Sequence, residues 1–210
     1  MQRISTVQAD QATGKARELL EGVQKKLGMT PNMIKTMANS AAVLEGYLGL
    51  NGALSHGSLP AKLREQISLV IAEENGCGYC RAAHSAIGKM VGLSADAING
   101  ARHGDSQDAK ARAALQFARI VTQKKGRVSD ADLAQVRRAG YNDAEVSEII
   151  ANVALNIFTN YFNEAANTEI DFPKVVWRLP ANVRERLWAN TPYSNVIYPT
   201  VKKETPRCCE

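Results

Sequence analysis

Residues 65–84, EQISLVIAEENGCGYCRAAH, decide the fold, because they read as a helix, a break and a second helix. Ile67, Val70 and Ile71 continue an apolar face begun at Leu63, and Asn75-Gly76 halts it. A new helix then runs from about Cys77 to about Met90, which predicts an antiparallel hairpin hinged at residues 75–76. The same stretch gathers the reactive groups of the chain: Cys77, Cys80, His84 and the acids Glu65, Glu73 and Glu74. Two thiols three positions apart share one face of a helix start, where free N–H groups and the helix dipole favour a thiolate. His84 lies one turn beyond Cys80, within reach of a proton transfer. In the hairpin the residue opposite His84 falls near position 67 or 68, which brings Glu65 within a turn of the imidazole. Glu65, His84 and Cys80 then read as a carboxylate holding an imidazole that activates a thiol. Glu73 and Glu74 sit beside the hinge and are expected to be solvated surface.

Outward from the hairpin, the chain reads as helix after helix. Apolar periodicity and stop signals predict helices at 13–27, 31–38, 40–54, 60–74, 94–102, 107–125, 130–139 and 143–166. Thr30 before Pro31 resembles an N-cap with a first-turn proline, and Ser129 with Asp132 and Asn142 with Glu145 resemble capping boxes. No alternating strand pattern occurs, so the fold class is all-α. Helix 143–166 is apolar on almost every side, with Ile149, Ile150, Val153, Leu155, Phe158 and Tyr161, and is expected to serve the core on one face and an oligomer interface on another. Its Glu148-x-Ile150-x-x-Val153 echoes Glu65-x-Ile67-x-x-Val70, a three-residue match too short to establish duplication.

After Asp171-Phe172-Pro173 the composition changes: prolines at 173, 180, 192, 199 and 206 leave room only for a short helix at 181–189. The expected organisation is a helical domain at 1–173 and a Pro-rich extension at 174–210. Trp177, Trp188, Tyr193 and Tyr198 would pack that extension on the body or a neighbouring subunit. Cys208 and Cys209 receive no role. With 210 residues and 45% apolar content the chain can bury a sizeable core. Its net charge of +5 is spread so thinly that none of the segments 1–60, 61–105, 106–168 and 169–210 carries more than +2, which argues against nucleic acid as a partner. The amino terminus has no signal-like apolar run and no stretch reaches membrane-spanning length, so a cytoplasmic protein is expected. In that reducing setting a C-x-x-C pair is more often catalytic, redox-sensing or metal-binding than a permanent cross-link.

Glu65, eleven residues, Cys77-x-x-Cys80, three residues and His84 together resemble the signature of the AhpD-like alkylhydroperoxidases of the carboxymuconolactone decarboxylase superfamily. The resemblance extends from Thr30-Pro31-Asn32 through Leu63-Arg64-Glu65 to Asn160-Tyr161-Phe162-Asn163 and Asp171-Phe172-Pro173. It implies an all-helical homotrimer or homohexamer that reduces hydroperoxides without metal, haem or flavin. By the same resemblance Cys80 is the peroxidatic thiolate, Cys77 the resolving thiol, His84 the proton carrier and Glu65 its partner, with an external dithiol as reductant. Tyr79 departs from the best-known pattern, which has a second histidine between the cysteines, and so removes one proton-relay group. Alternative readings are a thiol-disulfide redox protein or sensor without efficient peroxide turnover, a carboxymuconolactone decarboxylase-type enzyme, and a zinc protein. Zinc would need Cys77, Cys80 and His84 plus a fourth ligand from His56, His103 or Glu65.

Overall fold

The computed structural model describes residues 1–173, and every regular element among them is an α-helix. In chain order these are α1 (Gly14–Leu27), α2 (Asn32–Met37), α3 (Ala41–Ser55), α4 (Ala61–Glu74), α5 (Gly78–Met90), α6 (Ala95–Arg102), α7 (Ala109–Gln123), α8 (Asp130–Arg138) and α9 (Asp143–Ala166). None is long and apolar enough to cross a membrane. The expectations for the helix at 181–189, for the four tail aromatics and for Cys208 and Cys209 fall outside the described residues.

The buried centre is α4, which packs against α5, α6, α7 and α9. Its residues Gln66, Ile67, Ser68, Leu69, Val70, Ile71 and Ala72 are buried in succession, so this helix is enclosed on all sides. Each fully buried Ile, Leu or Val contributes about 1.5–3 kcal/mol by leaving water. One cluster joins Ile67, Val70 and Ile71 to Leu115, Phe117, Ile149 and Val153 from α7 and α9. A second joins Leu20, Met33, Met37 and Leu44 from α1, α2 and α3 to Ala72, Cys77 and Cys80. The hairpin thus lies where the two clusters meet.

The hinge forms as the sequence predicts. Gly76 takes φ +69°, the left-handed region that a residue without Cβ enters at little cost. Gly76 N–H donates to Glu73 O at 3.1 Å and Cys77 N–H to Ala72 O at 3.0 Å, the paired closing bonds of a Schellman stop. Cys77 then becomes the N-cap of α5, its Sγ accepting the Cys80 N–H at 3.2 Å. Both expected capping boxes are present, at the starts of α8 and α9.

Three expectations change. Thr30 does not cap α2: Pro31 occupies the N-cap, and the Thr30 hydroxyl donates to Gln24 Oε1 at 2.9 Å instead. Glu73 and Glu74 are not solvated surface, because α5, α6 and α7 lay arginines over the end of α4. Glu73 meets Arg102 at 2.9 Å and Arg81 at 3.6 Å, and Glu74 meets Arg119 at 2.6 Å. Finally, α9 is not apolar all round. Asn152, Asn156, Asn160 and Asn163 form a buried polar stripe, while Ile150, Phe158 and Tyr161 are exposed on another side.

Candidate active site

Three helices converge on the sulfur of Cys80. From α5 come Cys80 itself, the N-cap thiol Cys77 and, one turn on, His84. From α4 comes Glu65, whose Oε2 lies 2.8 Å from His84 Nδ1, the contact that the folded-back hairpin requires. From α9 comes Asn163, whose amide donates to Cys80 Sγ at 3.3 Å and to Met33 Sδ at 3.2 Å. Cys77 and Cys80 are both free thiols and both buried.

The environments of the two sulfurs differ in sign. The Cys80 thiol is pulled down to about 7: the hydrogen bond from Cys77 contributes most, burial opposes it, and the His84 charge with the amides of Asn163 and Asn160 adds to it. Cys77 is pushed far up, first by its hydrogen bond to Cys80, then by burial and by the Cys80 and Glu164 charges. Glu164 sits at the start of α5, where its carboxylate accepts the Gly78 N–H at 3.3 Å. Burial alone would lower the His84 imidazole, but the Glu65 charge and hydrogen bond, with Cys80 beyond, raise it above its ordinary value. The His84 charge thus favours the Cys80 thiolate, and the thiolate with Glu65 favours the charged imidazole.

Cys80, His84, Glu65 and Asn163 line a cavity of about 460 Å³. Leu19, Val23, Ile34, Leu48 and Phe172 give it an apolar wall, and Arg64, Glu65, His84, Asn152 and Asn156 a polar one. Tyr47 also lines it, its phenol raised to about 12 by burial and by the Glu65 and Cys80 charges, hence protonated. Such a space admits an organic molecule whose reacting atom meets Cys80.

The structure brings Glu65, Cys77, Cys80 and His84 together as the sequence predicts. Tyr79 does not reach towards His84. Its hydroxyl donates to Asp171 Oδ1 at 2.9 Å and accepts the Met33 N–H at 3.2 Å, and its ring meets Phe172 edge-on. Asp171 Oδ2 also takes the Asn32 N–H at 2.7 Å, so Tyr79 belongs to a latch between α5, α2 and the segment after α9. His56 and His103 lie at the carboxyl ends of α3 and α6. Among the described residues no three His, Cys, Asp or Glu side chains are grouped to hold a metal ion. Sequence reasoning met Asn160 and Asn163 only as part of the resembling segment and gave them no role; their signal was the four-residue recurrence of asparagine at 152, 156 and 160 along an apolar helix, followed by 163.

Residues 41–123, which hold Glu65, Cys77, Cys80 and His84, match the model of the carboxymuconolactone decarboxylase family. No curated protein matches the chain. Among solved structures, the alkylhydroperoxidase AhpD core of Ralstonia eutropha JMP134, an uncharacterized peroxidase-related protein, superposes with a TM-score of 0.74 at 23% identity, over 81% of this chain and 92% of that one. A peroxidase-related protein from Silicibacter sp. TM1040 gives 0.72 at 25% identity, over 80% and 91%. The debrominase Bmp8 gives 0.69 at 23% identity, also over 80% and 91%.

Proposed function

We propose that this chain, a member of the carboxymuconolactone decarboxylase superfamily with the AhpD-like fold, is a thiol-dependent peroxidase that reduces organic hydroperoxides. The observation that carries the reading is the unequal pair of thiols. Cys80 faces donors that favour its thiolate, while Cys77, one turn away, is held as a thiol. The Cys80 thiolate attacks the terminal peroxide oxygen and breaks the O–O bond. That oxygen stays on sulfur as a sulfenic acid, and the departing alkoxide takes a proton from His84, whose charged form Glu65 favours. Cys77 then attacks the sulfenic sulfur, forming the disulfide and releasing water. An external dithiol, protein or small molecule, returns both thiols and supplies the two electrons of the cycle.

Exposed Ile150, Phe158 and Tyr161 on α9 support assembly of several copies, as a trimer or hexamer, through this face. A second reading, thiol-disulfide exchange or redox sensing without efficient peroxide turnover, draws on the burial of Cys80 and on the engagement of Tyr79 away from the site. Peroxide consumption with dithiothreitol by wild type, Cys80→Ser and Cys77→Ser separates the two. The peroxidase reading expects loss in Cys80→Ser and a single oxidation without recycling through the internal disulfide in Cys77→Ser. Equal consumption by all three proteins, or none by wild type, removes it.

A further inference from the structure

Asn163 is 2% exposed and lines the cavity together with Cys80. Its amide donates to two sulfurs, Cys80 Sγ at 3.3 Å and Met33 Sδ at 3.2 Å. A thioether carries no proton and a thiolate only accepts, so the NH₂ end must be the one bonded to the sulfurs, and the carbonyl oxygen, held next to it by the planar amide, is left over. That carbonyl oxygen, Asn163 Oδ1, is buried and has no hydrogen-bond partner among the described residues. An unmatched buried acceptor of this kind is costly, and most buried polar groups avoid it. The neighbouring Asn156 differs, since its amide closes on the Asn152 carbonyl at 2.9 Å within α9 itself. Asn163 thus points its donor at the nucleophile and, unlike Asn160, whose Oδ1 accepts from Asn75 Nδ2 at 3.0 Å, keeps an acceptor in reserve.

We infer that Asn163 is a catalytic residue that grips both reacting atoms: its N–H holds the Cys80 thiolate and its Oδ1 accepts the O–H of the incoming hydroperoxide. The attacked oxygen of a hydroperoxide carries a hydrogen, which it keeps on becoming the sulfenic oxygen. An acceptor fixed beside the sulfur aims that oxygen at the sulfur and turns the O–OR bond away, towards the proton donor His84. No proton is lost to Asn163 in the step: S–O forms, O–O breaks, and the alkoxide takes its proton from His84. The assignment rests on the peroxidase reading and names one further group within it.

The test compares two reagents for Cys80 in the full-length reduced protein, each at a pH where the thiolate is fully formed. One is tert-butyl hydroperoxide, which has an O–H to offer. The other is methyl methanethiosulfonate, which has neither O–H nor N–H. Asn163→Leu and the smaller Asn163→Ala are expected to lower the peroxide rate about tenfold or more relative to the thiosulfonate rate. Asn163→Asp keeps an acceptor oxygen, so it is expected to hold the wild-type ratio of the two rates while shifting the thiol titration to higher pH. An unchanged ratio in whichever of the Leu and Ala variants folds, or loss of the ratio in Asn163→Asp, overturns the role of Asn163. Absence of any Cys80 oxidation in wild type, with normal thiosulfonate labelling, instead overturns the peroxidase reading on which it rests.

Discussion

The two ends of α4 present carboxylates to very different partners. At one end Glu65 meets a histidine, which can take or give a proton near neutral pH. At the other, Glu73 and Glu74 meet arginines, which stay charged at any pH a cell reaches. The same side-chain type therefore tunes a reacting group in one place and ties helices together in the other. What separates the roles is the partner's pKa and the cavity: the Glu65 end opens onto it, and the Glu73 and Glu74 end is closed by α6 and α7.

Substitutions can break this contrast. The largest effect is expected from Cys80→Ser, with peroxide-dependent oxidation falling to background in a single-turnover assay while circular dichroism stays that of wild type. Glu65→Gln should lower that rate about a hundredfold, the scale of a lost general acid. It also removes the charge that raises His84, so the imidazolium deprotonates at lower pH and the alkaline limb of the pH–rate profile moves down. Urea unfolding of Glu65→Gln should change by only about 1 kcal/mol. Glu73→Gln is the mirror case: removing a carboxylate beside the largely buried Arg102 should destabilise by about 3 kcal/mol in urea, with the oxidation rate of the folded protein within about threefold. If Glu73→Gln costs activity and Glu65→Gln costs stability, the contrast is wrong.

The smallest effect is expected from Tyr79→Phe. It removes one hydroxyl shared by Asp171 and the Met33 amide, about 1 kcal/mol of unfolding free energy, and leaves the pH–rate profile in place. A changed profile would give Tyr79 a part in the proton relay.

Much of this was legible in the sequence because the hairpin obeys local rules. Asn75-Gly76 stops a helix for a backbone reason, the positive φ at Gly76, and the stop fixes how the chain folds back, so Glu65 and His84 could be paired from spacing alone. The capping boxes at Ser129 and Asn142 are equally local. The ion pairs of Glu73 and Glu74 were not legible, since their arginines arrive from positions 81, 102 and 119 by tertiary packing. Asn163 escaped for the same reason: its importance lies in a sulfur 83 positions earlier in the chain. Tyr79 read only as the loss of a relay group, because the sequence shows its neighbours, the thiols, and not Met33 and Asp171, to which its hydrogen bonds run.

The central claim is that one turn of α5 makes two unlike thiols. Residue-resolved thiol labelling across pH, read by mass spectrometry, tests it directly. The account predicts that Cys80 labels with a midpoint near pH 7 and that Cys77 remains protected to far higher pH. Equal midpoints for the two cysteines, or Cys77 titrating first, would contradict it.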